Sequence, residues 1–122
     1  MKKILTVIFF SSILLVACTN SPPQMEGYME SEVIADFPIP EEAVTNDSSS
    51  NNPNLIYVGY DYEKVSATEG IPQDYQDAIT EWGWTENEAE RMGAFRVFEK
   101  GTRSVGFSFH EGWFALHEDT ED

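Results

Sequence analysis

The sequence has little cysteine and little positive charge. Its 122 residues include a single cysteine, Cys18, so no internal disulfide can form. Seven Lys and Arg stand against 22 Asp and Glu, and the formal net charge is −15. Nucleic acids and anionic lipids would repel such a chain, so we expect no nucleic-acid partner. The charge permits cationic partners such as basic peptides, basic proteins or divalent cations, although acidity also keeps an exported protein soluble.

Several catalytic motifs are missing as well. The serines lack a G-x-S-x-G setting, and neither a phosphate-binding loop nor a dinucleotide fingerprint occurs. Histidine is limited to His110 and His117, which could meet across the last predicted hairpin. Together with Glu111 or Glu118 they could bind zinc. Histidines on the polar face of a strand are more commonly surface residues, so we predict no catalytic residue, no metal site and no cofactor.

The longest apolar run is short and lies near the N-terminus. Lys2 and Lys3 precede it, residues 4–16 are apolar apart from Thr6 and two serines, and small residues follow. The run is too short for a comfortable membrane span, and its layout is typical of an export signal. An ordinary signal peptide with a chance cysteine and an uncleaved membrane anchor are the alternatives.

The four residues Leu15-Val16-Ala17-Cys18 resemble the lipobox of bacterial lipoproteins. The resemblance implies cleavage before Cys18 and a diacylglyceryl group on its sulfur, with fatty-acyl chains such as palmitate in the bilayer. Two or three chains anchor a protein stably, at about 0.8 kcal/mol per buried CH₂. We therefore expect residues 1–17 to be a signal peptide, and Cys18 to hold the protein on the outer face of the cell membrane.

Composition divides the rest of the chain. Residues 18–36 contain two prolines, a glycine and four acidic residues, which predicts a flexible acidic tether. Residues 37–118 are predicted to form one domain, and residues 119–122 a disordered acidic tail. Within Val33–Val44, two prolines favour an extended strap along the domain edge. A polyproline-II ligand is the alternative for this strap.

Periodicity predicts the elements of the domain. Alternating apolar residues predict strands at 55–65, 94–99, 103–110 and 113–117. Helical spacing after Pro72 predicts a helix that ends at Gly83. Thr85 and Glu88 match a capping box, which predicts a second short helix. Glycine at position 106, in mid-strand, predicts a bulge or the close approach of another group.

The predicted fold class is α+β. A small antiparallel sheet of about four strands, in the order β-α-β-β-β, would carry one broken helix on one face. This order, together with the I-P-x-x-Y…GW stretch that begins at Ile71, resembles small uncharacterised lipoproteins of Gram-positive bacteria. That resemblance implies no activity and supplies no functional residues.

The function expected from these features is that of a binding or interaction module, not an enzyme. The partner would be an envelope protein or peptide, in addition to the lipid bilayer reached through Cys18. The possible interaction surface is the exposed side of the sheet, with Tyr57, Arg96, Arg103, Ser108 and His110. The alternatives are a structural spacer or a small envelope enzyme. The enzyme would use a His-bound metal or a pair of the carboxylates between Asp74 and Glu90.

Overall fold

A computed structural model describes residues 26–120. It holds eight strands in two antiparallel sheets and one short α-helix, α1 (Gln73–Glu81). The strands are β1 (Tyr28–Glu30), β2 (Pro38–Pro40), β3 (Val44–Thr45), β4 (Leu55–Asp61), β5 (Thr85–Glu86), β6 (Phe95–Lys100), β7 (Arg103–His110) and β8 (Trp113–Asp119). The predicted α+β fold with about four strands is therefore wrong, because the protein is dominated by its sheets. The predicted signal peptide and Cys18 lie outside the described residues.

The larger sheet has six strands in the order β3-β4-β8-β7-β6-β5. Its centre is the antiparallel meander β6-β7-β8, and the earlier strand β4 adds to β8. The meander and helix α1 were both predicted correctly from their apolar periods. The sheet is wider than predicted because two-residue strands pair at both edges, β3 with β4 and β5 with β6.

The predicted strap, Val33–Val44, supplies β2 and the first residue of β3. β1 and β2 form a separate hairpin that packs against α1, and β3 joins the edge of the large sheet. Met29 pairs with Ile39, while the backbone of Pro38 and Pro40 points away from β1. The missing proline N–H groups therefore cost no ladder hydrogen bond. The carbonyl of Pro38 instead accepts a hydrogen bond of 2.9 Å from the Tyr75 hydroxyl.

Part of the predicted tether is packed into the fold. Within residues 26–36, β1 pairs with β2, and Ile34 is completely buried in the core. Ser31 is also buried, and its hydroxyl lies 2.8 Å from the hydroxyl of Tyr60. Composition indicated a tether because this stretch has few apolar residues, but those few reach the core. At the other end, β8 continues to Asp119, beyond the predicted domain limit of residue 118.

The predicted second helix is wrong. Thr85 and Glu86 are extended and pair with Glu99 and Phe98 of β6. Only a 3-10 turn at Glu88–Glu90 follows, capped by the side chain of Asn87. The cause lies just before it, where the indole of Trp84 is buried and donates a 2.8 Å hydrogen bond to the carbonyl of Asp36. This contact holds the chain beside the sheet, so local capping preference is overridden.

The core lies between one face of the large sheet and the layer formed by α1 and the β1–β2 hairpin. We call this covered side the inner face. Phe107 and Phe114 stack across β7 and β8 at 4.9 Å, and the ring of Tyr75 contacts both from the helix. Phe37 of the strap contacts Trp84, Phe98 and Phe107. Burial of so many rings gives a chain without disulfides a substantial apolar core.

Candidate functional site

The opposite side of the large sheet, which we call the outer face, carries the alternate residues of β4, β6, β7 and β8. Strand register arranges them in rows that cross the sheet. One row consists of Tyr57, His117, Gly106 and Val97. The next consists of Gly59, Ala115, Ser108 and Phe95. Small residues therefore occupy the middle of the face, with rings around them.

Two of these rings stack across the small residues. The imidazole of His117 and the ring of Phe95 lie 5.7 Å apart and nearly parallel, at 12°. His117 covers Gly106 so closely that a Cβ at position 106 would overlap the imidazole. The close approach predicted at Gly106 is thus confirmed. Partial burial in this stack lowers the pKa of His117, because desolvation disfavours the charged imidazolium.

A second stack lies at the β7–β8 hairpin. The rings of His110 and Trp113 are 3.9 Å apart and 10° from parallel. The hairpin turns through Gly112, whose φ of +85° suits glycine. The same row continues to Asp61 and to Val44, which is 62% exposed. The row therefore combines apolar surface with a carboxylate.

The rings of the outer face are only half buried. They are Tyr57, Phe95, His110, Trp113 and His117. The residues of loop 46–54 cover the β4 margin, where Asn46 and Ser48 lie over Gly59. Helix α1 and the β1–β2 hairpin lie on the inner face instead. These rings are partly exposed, so the face keeps some apolar area available for a partner.

The predicted interaction residues do not share one face. Tyr57, Ser108 and His110 lie on the outer face, as the alternation implied. Arg96 and Arg103 lie on the inner face, since their cross-strand partners are Phe107 and Lys100. Alternation within single strands did not identify Phe95, Trp113 and His117 as members of the outer face. Pairing each strand's alternation with its neighbour's would have identified them.

Both arginines are held by neighbouring residues. Arg103 makes two 2.8 Å hydrogen bonds to the Glu118 carboxylate and lies over the ring of Trp84. Arg96 lies over Phe109 and donates to the carbonyl of Gly93. They close the rim of the core, on the side of the sheet opposite to the outer face.

The two histidines do not meet. His110 is paired with Trp113, whereas His117 is paired with Gly106 in a different row. Among residues 26–120, no group of three or more His, Cys, Asp or Glu side chains is placed to hold a metal ion. The zinc arrangement considered for the last hairpin is therefore not formed in the described part of the chain.

Two open clefts flank the sheet. One, of about 280 Å³, lies between α1 and β5. There Glu86 is bound by Arg91 at 2.7 and 2.9 Å, and these hydrogen bonds lower the pKa of the carboxyl. The other, of about 310 Å³, lies next to the Trp113 row. It is lined by Glu42, Val44, Asp61, Tyr62, Glu63 and Gly112.

Comparisons with known proteins identified no match to this chain. The chain matches no protein-family model, no curated protein and no solved structure. Within residues 26–120, no helix is long and apolar enough to cross a membrane.

Proposed function

We propose that this protein is a lipid-anchored binding module on the outer face of the cell membrane. The anchor would be the acylated Cys18 that follows the lipobox-like residues Leu15-Val16-Ala17. The folded domain would bind an envelope protein or peptide. It would use no catalytic residue of its own.

The observation that carries the binding role is the half-buried aromatic outer face. Its two ring stacks, His117 on Phe95 and His110 on Trp113, are fixed by strand pairing and do not depend on flexible loops. A rigid aromatic surface loses little conformational entropy when a partner covers it. The predicted surface is therefore kept in part, with Arg96 and Arg103 replaced by Phe95, Trp113 and His117.

The anchor is tested by metabolic labelling with a fatty-acid analogue. The wild-type chain should incorporate the label and fractionate with membranes. The Cys18→Ala variant should incorporate no label, because it lacks the acceptor sulfur. Equal labelling of both chains would overturn the lipoprotein assignment.

The binding role is tested by crosslinking and recovery from native membranes. A discrete envelope protein should be recovered with the wild-type chain and lost with Trp113→Ala. The exposed helix variant Glu81→Gln should retain it, because Glu81 lies on α1, away from the outer face. Recovery that is the same for all three chains, or the same as a bare resin, would contradict the proposal.

A further inference from the structure

The outer face carries acidic residues at its two ends, beyond the ring stacks. Asp61 lies in the row of Trp113, at one end of the face. Glu99 and Asp119 lie in the row beyond Val97 and His117, at the other end. All three residues are exposed. Carboxylates thus border the aromatic centre at both ends.

The cations of the large sheet are all on the other side. Among its described strands, the Lys and Arg residues are Arg96, Lys100 and Arg103, and register places each on the inner face. Each lies within 4.0 Å of a carboxylate, as do Lys64 and Arg91 in the connecting segments. The outer face therefore combines aromatic rings with negative charge and supplies no basic strand residue of its own.

Building on the proposed function, we infer that the occupant of the outer face is a cationic polypeptide segment. Arg and Lys have apolar stems and charged heads, so they match an aromatic surface bordered by carboxylates. A guanidinium also stacks favourably over a Trp, Tyr or Phe ring. Opposite charge would in addition accelerate the encounter with the acidic domain.

The length of the face sets the spacing of the basic residues. From Asp61 to Leu55, which pairs with Asp119, β4 advances six residues, or about 20 Å at 3.4 Å per residue. An extended peptide therefore needs basic groups about six residues apart to reach both ends. The acidic cleft beside Asp61, lined also by Glu42 and Glu63, adjoins the Trp113 end and offers room for one such side chain.

The inference is tested by titrating the full-length chain, in a non-ionic detergent, with two fluorescent octapeptides. Arg-Arg-Gly-Ser-Gly-Ser-Arg-Arg has basic pairs at its ends, and Gly-Ser-Arg-Arg-Arg-Arg-Gly-Ser has the same composition with the charges together. We expect the first to bind about threefold or more tightly, judged by anisotropy at physiological salt. Equal affinity would overturn the inference, because attraction by net charge alone does not depend on spacing.

Matched variants locate the binding. Trp113→Ala should weaken binding of the end-paired peptide about fivefold, which is the size of an exposed cation–π contact. The double variant Asp61→Asn with Glu99→Gln should weaken it about threefold or more. Its charge-matched control, Asp77→Asn with Glu81→Gln on α1, should leave it within twofold. An equal loss in both double variants would overturn the inference.

The result also separates this inference from the proposed function. If membrane recovery depends on Trp113 but neither peptide binds above a neutral Gly-Ser octapeptide, the binding role stands and the cationic partner is wrong. A neutral oligosaccharide or a second copy of the chain would then be the occupant to examine. If neither the membrane recovery nor the peptide binding depends on Trp113, both proposals fail.

Discussion

The two faces of the six-stranded sheet are both aromatic but are used in different ways. On the inner face, Phe107 and Phe114 are completely buried beneath the helix and the hairpin. On the outer face, the Phe95–His117 and His110–Trp113 stacks remain half buried. Aromatic content alone therefore does not distinguish a core from a binding surface. The difference lies in what covers each face.

The covering layer of the inner face is fixed by polar contacts at its edges. Lys100 lies 2.6 Å from the Asp36 carboxylate and donates to the carbonyl of Trp82. Asp36 has a φ of 68°, which is uncommon for a residue other than glycine. The Trp84 indole N–H donates a hydrogen bond to the backbone carbonyl of Asp36. These contacts tie the strap to the end of α1 and to β6, whereas within residues 26–120 the outer face is covered only at its β4 margin, by Asn46 and Ser48.

The sharpest test of the comparison removes one ring from each face. Phe107→Ala should lower the free energy of unfolding by about 4 kcal/mol, because it opens a cavity in a fully buried site. Trp113→Ala should cost less, about 1–2 kcal/mol, since its ring is not fully buried and packs mainly on His110. Urea unfolding followed by circular dichroism measures both values. Similar losses for the two variants would show that the outer face is also a core.

The outer face should nevertheless be tightly packed at one point. Gly106→Ala places a methyl group against the His117 imidazole, and we expect it to destabilise the protein by about 2 kcal/mol. Adding His117→Ala should restore part of that loss, because the two changes act on one contact. A double-mutant cycle of unfolding free energies measures the coupling. Strictly additive losses would mean that the two side chains do not meet.

The cover of the inner face can be weakened at a single hydrogen bond. Tyr75→Phe removes the hydroxyl that donates to the buried Pro38 carbonyl and leaves that acceptor without its partner. The expected loss is about 1–2 kcal/mol. The matched control Tyr57→Phe, on the outer face, should change stability by less than about 0.5 kcal/mol. Equal effects would mean that the hairpin is not held by this contact.

The sequence predicted the parts of the fold that depend on local period. The meander after Ala94 and helix α1 follow from alternation and from the spacing of Tyr75, Ile79 and Trp82. Two-residue edge strands such as Val44–Thr45 and Thr85–Glu86 are too short to have a period, so they were missed. Their conformation is decided by long-range pairing, which propensity does not encode.

The candidate surface was predicted only in part, because alternation within one strand does not show which residues of neighbouring strands lie beside it. Alternation within β7 placed Ser108 and His110 on one side correctly. Arg96 and Arg103 were predicted as surface residues from their polarity, but strand register places both on the inner face. Their long side chains cover the rim of the core. Knowing which residues pair across strands was required to place Phe95 and Trp113 beside His117.

The smallest expected effect concerns the response of the outer face to pH. The lowered pKa of His117 means that the unfolded chain takes up a proton at a higher pH than the folded chain. The stability contributed by neutral His117 is therefore complete above its ordinary pKa, near 6.5, and is lost as pH falls below that value.

His117→Phe keeps an aromatic ring against Phe95 and should flatten the decline in unfolding free energy between pH 7 and pH 5. Unfolding measured across that range in both chains tests this, with His110→Phe as the matched variant in the other stack. A decline that His117→Phe leaves unchanged would mean that the imidazole over Gly106 stays solvated, which would make the outer face more open than its register and packing imply.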